Sequence, residues 1–374
     1  MMSRRLFSTL SLVFIIACSD DDNSTVQPPV PLTPDEQVVA NVRAMHDTLE
    51  KFASEHGGNY GYWTWRYDNQ NPVTSVKNPY TGETEPSSIR AAGPGQIGLE
   101  WYYNCAGCDG GWPGCADSTI TAIGYRITGY GNDHMLITLE SVDNVPAEVR
   151  YQHDATVANA YLVMDAAKRF ADENDGVFST DVAGDQTSEN KTLLDLLPNG
   201  SLLLNPITNA ETEPQDGLTL ITPGAIGYIG SDYSGTGDIN YFQIEGDGCD
   251  GQVIVTLLPY TEYGLLVRNG CDWLRACLEQ FAKASGHYPH DLNTETTPDN
   301  KTILDIYEEI TWDHSTNFVN PFTQEHYVPS IGIATGKGAI GYEPIETAGI
   351  VTDYVITGRD AFNEIVRLGP RPLR

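Results

Sequence analysis

The chain has 374 residues, enough for two or three domains of about 100–200 residues each. Its 21 Lys and Arg stand against 51 Asp and Glu, a formal net charge of −30. Such a surface repels a nucleic-acid backbone and lacks the clustered cations whose counterion release drives that binding. The 36 Gly, 22 Pro and 20 Tyr describe a loop-rich, β-containing protein rather than a helical bundle, and a polytopic membrane protein is excluded with the nucleic-acid binder.

Residues 1–17 read as a signal peptide. Arg4 and Arg5 precede a mostly apolar run, Leu6 to Ala17, that is too short to span a bilayer, which needs about 20 residues, but suits a secretory segment. The junction Ile15-Ile16-Ala17-Cys18 resembles the lipobox of bacterial lipoproteins, which implies that Cys18 is acylated and becomes the mature N-terminus. Residues 18–33, with Ser19-Asp20-Asp21-Asp22 and a Pro/Ser/Thr stretch, cannot bury apolar area and read as a tether. The expected location is the cell envelope: anchored in the outer membrane, periplasmic or surface-exposed, in an oxidising compartment.

Three copies of one pattern fill the remainder, with expected boundaries at 34–148, 149–259 and 260–374. Val38, Val42, Met45, Leu49 and Phe52 repeat at helical spacing, as do Ala160, Val163, Ala167 and Phe170, and again Val267, Cys271, Leu274, Leu278 and Phe281. Each stripe predicts a helix with one apolar face, most simply laid on a sheet. The first helix has its start written out, with Thr33 as cap, Pro34 in the first turn and Glu36 completing a capping box. Each helix is expected to stop at a glycine followed by an aromatic: Gly58-Asn59-Tyr60, Gly176-Val177-Phe178 and Gly286-His287-Tyr288.

Downstream come Asn78-Pro79, Asn205-Pro206 and Asn320-Pro321, each followed one residue later by Thr and reading as a turn. Then stand Gly95-Gln96-Ile97-Gly98, Gly224-Ala225-Ile226-Gly227 and Gly338-Ala339-Ile340-Gly341. The patterns close with Tyr125-Arg126-Ile127-Thr128-Gly129, Phe242-Gln243-Ile244-Glu245-Gly246 and Tyr354-Val355-Ile356-Thr357-Gly358, which alternate as strands do. The expected fold class is α+β: three tandem modules, each one long N-terminal helix packed on a small antiparallel sheet.

This order of motifs resembles the globular head of type IV pilins, and most nearly that of the major pseudopilin of type II secretion systems. The chain departs from pilins at its start, where a lipobox-like junction replaces the peptidase site, the glutamate at the fifth mature position and the long apolar helix. The resemblance implies a calcium site in the last inter-strand loop, where Glu245, Asp247 and Asp250 stand in the second module.

Six cysteines follow Cys18. Cys105, Cys108 and Cys115 share one Gly-rich loop, and Cys249, Cys271 and Cys277 come later. An oxidising compartment favours disulfides, although three clustered thiols with a fourth ligand could also hold zinc. Cys271 and Cys277 lie six apart on one helix, a rise of about 9 Å. A bridge tolerates about 7 Å between Cα atoms, so they cannot pair with each other. If all six pair, Cys249 takes one helix cysteine and the other reaches the Cys105–Cys115 loop. The alternative is one free thiol in each group.

The first module is also rich in aromatics, among them Trp63, Trp65, Trp101 and Trp112. They either fill its core or form a stacking platform for sugar rings or a protein partner. No Gly-x-Ser-x-Gly elbow and no His-Glu-x-x-His occurs, so the expectation is non-enzymatic, with no cofactor beyond the calcium. Two functions follow. One is a structural or assembly protein near an envelope secretion or pilus system; the other is a surface-anchored adhesin or glycan-binding protein using the first module.

Overall fold

The computed structural model describes residues 31–58, 60, 62–63, 75–82, 84–86, 91, 93–103, 120–141, 145–198, 200, 202–218, 222–248, 253–310, 318–361 and 363–370. It is an α+β structure in which three helices each lie on a four-stranded sheet. Helix α1 (Pro34–Glu55) covers β1 (Tyr62–Trp63), β2 (Ile97–Tyr103), β3 (Ile120–Tyr130) and β4 (Met135–Glu140), with β3 central. Helix α2 (Ala147–Asp172) covers β5 (Gln215–Asp216), β6 (Ile226–Ser231), β7 (Tyr241–Asp247) and β8 (Val253–Leu257) in the order β8-β7-β6-β5. Helix α3 (Glu262–Ser285) covers β9 (Ser330–Ile331), β10 (Ile340–Thr347), β11 (Ile350–Arg359) and β12 (Glu364–Leu368), ordered β9-β10-β11-β12.

Two details differ from expectation. The second and third sheets are mixed rather than antiparallel, because β5 joins β6 and β9 joins β10 in parallel. The third unit also carries a second helix, α4 (Ile303–Ile310), where the second has only a 3-10 turn at Leu194–Leu196. Its Ile303, Ile306 and Tyr307 supply the apolar face that holds that extra helix on α3.

The recurring motifs have physical causes. The capping box at Thr33 forms, with Glu36 N donating to Thr33 Oγ1 at 3.3 Å and Thr33 N to Glu36 Oε2 at 2.8 Å. The glycines that end the helices all have positive φ, at 90° for Gly58, 77° for Gly176 and 80° for Gly286. Each donates its N–H at 2.8 Å to a carbonyl of the last turn, that of Ala53, Ala171 or Ala282.

The Asn-Pro turn and the Gly-x-Ile-Gly segment are one device. Asn205 Nδ2 donates to the Pro223 carbonyl at 2.9 Å, while its Oδ1 accepts from the N–H groups of Ile207 and Thr208. Asn78 does the same with Pro94, Tyr80 and Thr81, and Asn320 with Lys337, Phe322 and Thr323. The asparagine thus pins the turn to the residue just before the glycine. Gly224 has φ 78°, and a Cβ there would lie 2.5 Å from Asn205 Oδ1, so backbone angle and close approach both demand glycine.

The register repeats as well. Ile97 pairs with Gly129, Ile226 with Gly246 and Ile340 with Gly358, and each third strand meets its middle strand with a bulge just after that glycine. These second glycines lie where helix crosses sheet. A Cβ on Gly358 would come within 2.8 Å of Cys271 Sγ and 2.9 Å of Val267, and one on Gly129 would strike Val42 and Val38.

Three buried clusters result, built around Val42, Met45 and Leu49; around Val163, Ala167 and Phe170; and around Val267, Leu274, Leu278 and Phe281. Full burial of such aliphatic and aromatic side chains contributes about 1.5–3 kcal/mol each. Phe52 departs from its stripe: it is half-buried and stacks on His56 at 3.9 Å, and the small Ala53 is buried in its place.

Candidate functional site

The first and second units meet through a cluster of charges. Arg126 on β3 stands opposite Glu100 of β2 and Glu140 of β4, so the sheet sets one cation between two carboxylates. Its Nη1 donates to Glu100 Oε2 at 3.1 Å and its Nε to Glu140 Oε1 at 3.1 Å. The same Nη1 reaches Asp154 Oδ1 of α2 at 3.0 Å, which ties the second helix to the first sheet. Arg150, one turn earlier on α2, donates to the other Glu140 oxygen.

Tyr102 is fully buried at the centre, with the guanidinium carbons of Arg126 and Arg150 at 5.6 and 5.4 Å from its ring centroid, a cation–π arrangement. Burial pushes its phenol pKa up. Val145 closes the apolar side of the joint, since Gly124 is the residue whose lack of a Cβ leaves it room.

His153 is the odd member. It is 4% exposed, its ring meets Tyr102 edge-on at 5.0 Å, and its Nδ1 lies 3.6 Å from Asp154 Oδ1, too far for a hydrogen bond. Neither ring nitrogen has a hydrogen-bond partner, nor does the Tyr102 hydroxyl. The imidazole beside Asp154, and then Arg126, hold its carboxyl down at about 2, and Arg150 leads in lowering Glu140. Glu100, His153 and Asp154 bring one nitrogen and two carboxylate oxygens within 4.8 Å of one another, the single such group among the described residues.

The second junction is also polar. On α3 the apolar stripe faces its own sheet, while Arg268, Asp272 and Arg275, all nearly inaccessible, are joined to the second unit. Arg268 Nε donates to Asp272 Oδ2 at 3.0 Å and its Nη2 to the Gly176 carbonyl at 2.7 Å. Asn240 Nδ2 donates to Asp272 Oδ2 at 2.7 Å, and Arg275 Nη1 to the Asp175 carbonyl at 3.3 Å.

The residues singled out from sequence fare differently. Cys271 and Cys277 are free thiols, fully buried in the third core, and burial pushes both thiols up. No partner thiol stands beside either among the described residues. Cys271 sits over Gly358 as Val42 sits over Gly129, filling an apolar position rather than facing a partner thiol. Cys18, Cys105, Cys108, Cys115 and Cys249 lie outside the described residues.

Glu245 and Asp247 are on strand β7 rather than in a loop, because pairing with β6 runs to Gly246 and pairing with β8 to Asp247. Glu245 Oε1 accepts from Gln243 at 2.6 Å, and burial raises its pKa. Neither joins a ligand group among the described residues, and Asp250 lies outside them. Trp101 is half-buried on the first core, edge-on to Tyr125 at 6.2 Å. Trp63 contributes backbone to β1, while its side chain, Trp65 and Trp112 lie outside the described residues.

The charge cluster escaped the sequence because Glu100 and Asp154 belong to no local motif and Arg126 entered only as one position of an alternating strand. The available signal was the register: pairing Ile97 with Gly129 places Glu100 opposite Arg126, and the corresponding pairs, Ile229 with Gln243 and Glu343 with Val355, are not ionic. Among the described residues no helix is long and apolar enough to cross a membrane. No protein-family model, no curated protein and no solved structure significantly matches this chain.

Proposed function

We propose that this is a non-enzymatic, lipid-anchored cell-envelope protein whose three tandem pseudopilin-like units serve a structural or assembly role beside a secretion or pilus system. The observation that carries the reading is the threefold recurrence of one joint: helix-ending glycine, asparagine-pinned turn, and helix crossing over a bulged glycine. Two polar junctions, the second of them buried, hold successive units in a set order, which suits a spacer or scaffold. Trp101 packs on the core rather than standing free, which supports core filling over a sugar-stacking platform.

The anchor is tested by replacing Cys18 with Ala and fractionating cells. The variant should leave the membrane fraction, and retention as firm as the parent's would refute the anchoring. The assembly role is tested by deleting the gene and measuring protein secretion and pilus display. Unchanged values for both would refute it.

A further inference from the structure

We propose that Glu100, His153 and Asp154 form a binding site for a divalent transition metal of the zinc class, clasping the second helix to the first sheet. One imidazole nitrogen and two carboxylate oxygens converge within 4.8 Å, a donor set that such ions take readily and that leaves a position for solvent. The independent observation is His153. A neutral imidazole carries one donor and one acceptor nitrogen. Here both are buried and neither has a hydrogen-bond partner, in a side chain only 4% exposed and set between Tyr102 and Asp154, whose Oδ1 lies 3.6 Å from Nδ1. A protein interior seldom leaves both nitrogens unmet, and a bound metal satisfies one of them.

Three carboxylates, Glu100, Asp154 and Glu140, gather round the guanidinium groups of Arg126 and Arg150. Arg126 is the resident cation. Its Nη1 is shared between Glu100 and Asp154, while its Nε is held separately by Glu140. When a metal takes the first two carboxylates, Arg126 keeps the third as its partner. The ligands come from two different units, so the metal would act as a staple between them.

The test is titration of Zn²⁺ into the full-length protein, with accessible thiols alkylated so that the Cys105–Cys115 loop cannot compete. We expect one Zn²⁺ per chain and a rise in melting temperature. His153→Gln and Glu100→Gln should each weaken binding about tenfold or more and abolish the rise. In the unaltered protein, the ring ¹⁵N resonances of His153 should shift on adding Zn²⁺, a readout that requires no variant to fold. Absence of stoichiometric binding, equal affinity in both variants, or an unmoved His153 resonance at saturating Zn²⁺ would each overturn the proposal.

Discussion

The phenol of Tyr354 donates a hydrogen bond to Glu279 at 2.8 Å, from the middle strand of the third sheet to the helix above it. Tyr125 makes the same bond to Glu50 at 2.6 Å in the first unit. In both, a second tyrosine, the aromatic after the helix-ending glycine, meets the first edge-on: Tyr288 at 4.7 Å from Tyr354, and Tyr60 at 5.0 Å from Tyr125. The second unit keeps the ring geometry with Phe178 and Phe242 at 4.9 Å, and the exposed Lys168 replaces the glutamate. The aromatic pair is thus common to all three units, and the partly buried carboxylate–phenol bond is confined to two.

Tyr354→Phe should destabilise the third unit by about 1.5–3 kcal/mol, the range for a hydrogen bond to a charged group. Chemical denaturation read at the third unit measures it. A loss below about 0.5 kcal/mol would mean that solvent replaces the bond, as it does for exposed pairs.

These phenols also set the alkaline limit. Burial, then Glu279, pushes Tyr288 up to about 12, and burial with Glu279 raises Tyr354 further. An unfolded tyrosine ionises near 10. The folded state therefore holds its protons longer, and the stability this represents is intact below about pH 10 and lost as pH rises through the folded values. Absorbance at 295 nm should show the buried tyrosines ionising only with unfolding. Smooth titration of all tyrosines near pH 10 in the folded protein would contradict their burial.

The asparagine-pinned turn gives a second mutational test. Asn205 is 1% exposed and makes one donated and two accepted bonds, so Asn205→Ala should cost about 2–3 kcal/mol by leaving the Pro223 carbonyl and two N–H groups without it. Gly224→Ala should cost at least as much, since it adds both strain at positive φ and a clash with the same side chain. Calorimetric unfolding of the two variants and their double would show non-additive losses, because the residues touch. Full additivity would separate what the structure joins.

What the sequence made legible was local. Helix-period stripes, the Thr33 cap and the helix-ending glycines could be read because each depends on neighbours a few residues away. The Asn-Pro and Gly-x-Ile-Gly motifs were visible as recurrences, but not as one device, because the bond from Asn205 to Pro223 spans a loop. The charged junctions were hidden for the same reason: Arg126 meets Asp154 and Arg268 meets the Gly176 carbonyl only after the sheets have formed and the helices have docked. Arg268 and Asp272 are four apart on α3, a spacing common to exposed helical ion pairs, yet they are buried because the second unit covers them.

The two helix cysteines give a chemical test. Both are inaccessible and their thiols are raised by burial, so little reactive thiolate forms near neutral pH. Iodoacetamide should leave Cys271 and Cys277 unmodified in the native protein and label both after denaturation without reductant. Labelling that requires reductant would mean that they are bridged. Cys271→Val, which places in the third unit the residue that Val42 supplies in the first, should change stability by less than about 1.5 kcal/mol.

The junction of the second and third units rests on Arg268 and Asp272, and single and double replacements should behave unequally. Arg268→Met leaves the Asp272 carboxylate buried with only Asn240 as a hydrogen-bond donor among the contacts described above, and it strips the Gly176 carbonyl of its donor. Breaking one side of a buried pair costs about 3–5 kcal/mol, because the remaining charge has lost its counterion in a medium that solvates it poorly. Arg268→Met with Asp272→Leu removes both charges and should recover much of that loss. Limited proteolysis distinguishes a local effect from a general one. The exposed Leu258 lies between β8 and α3, and Arg268→Met should make cleavage there faster by loosening α3 from the second unit. A single variant that is cut no faster than the parent, or a double variant as unstable as the single, would show that the units are held by apolar contact around Leu368 and Gly176 rather than by this pair.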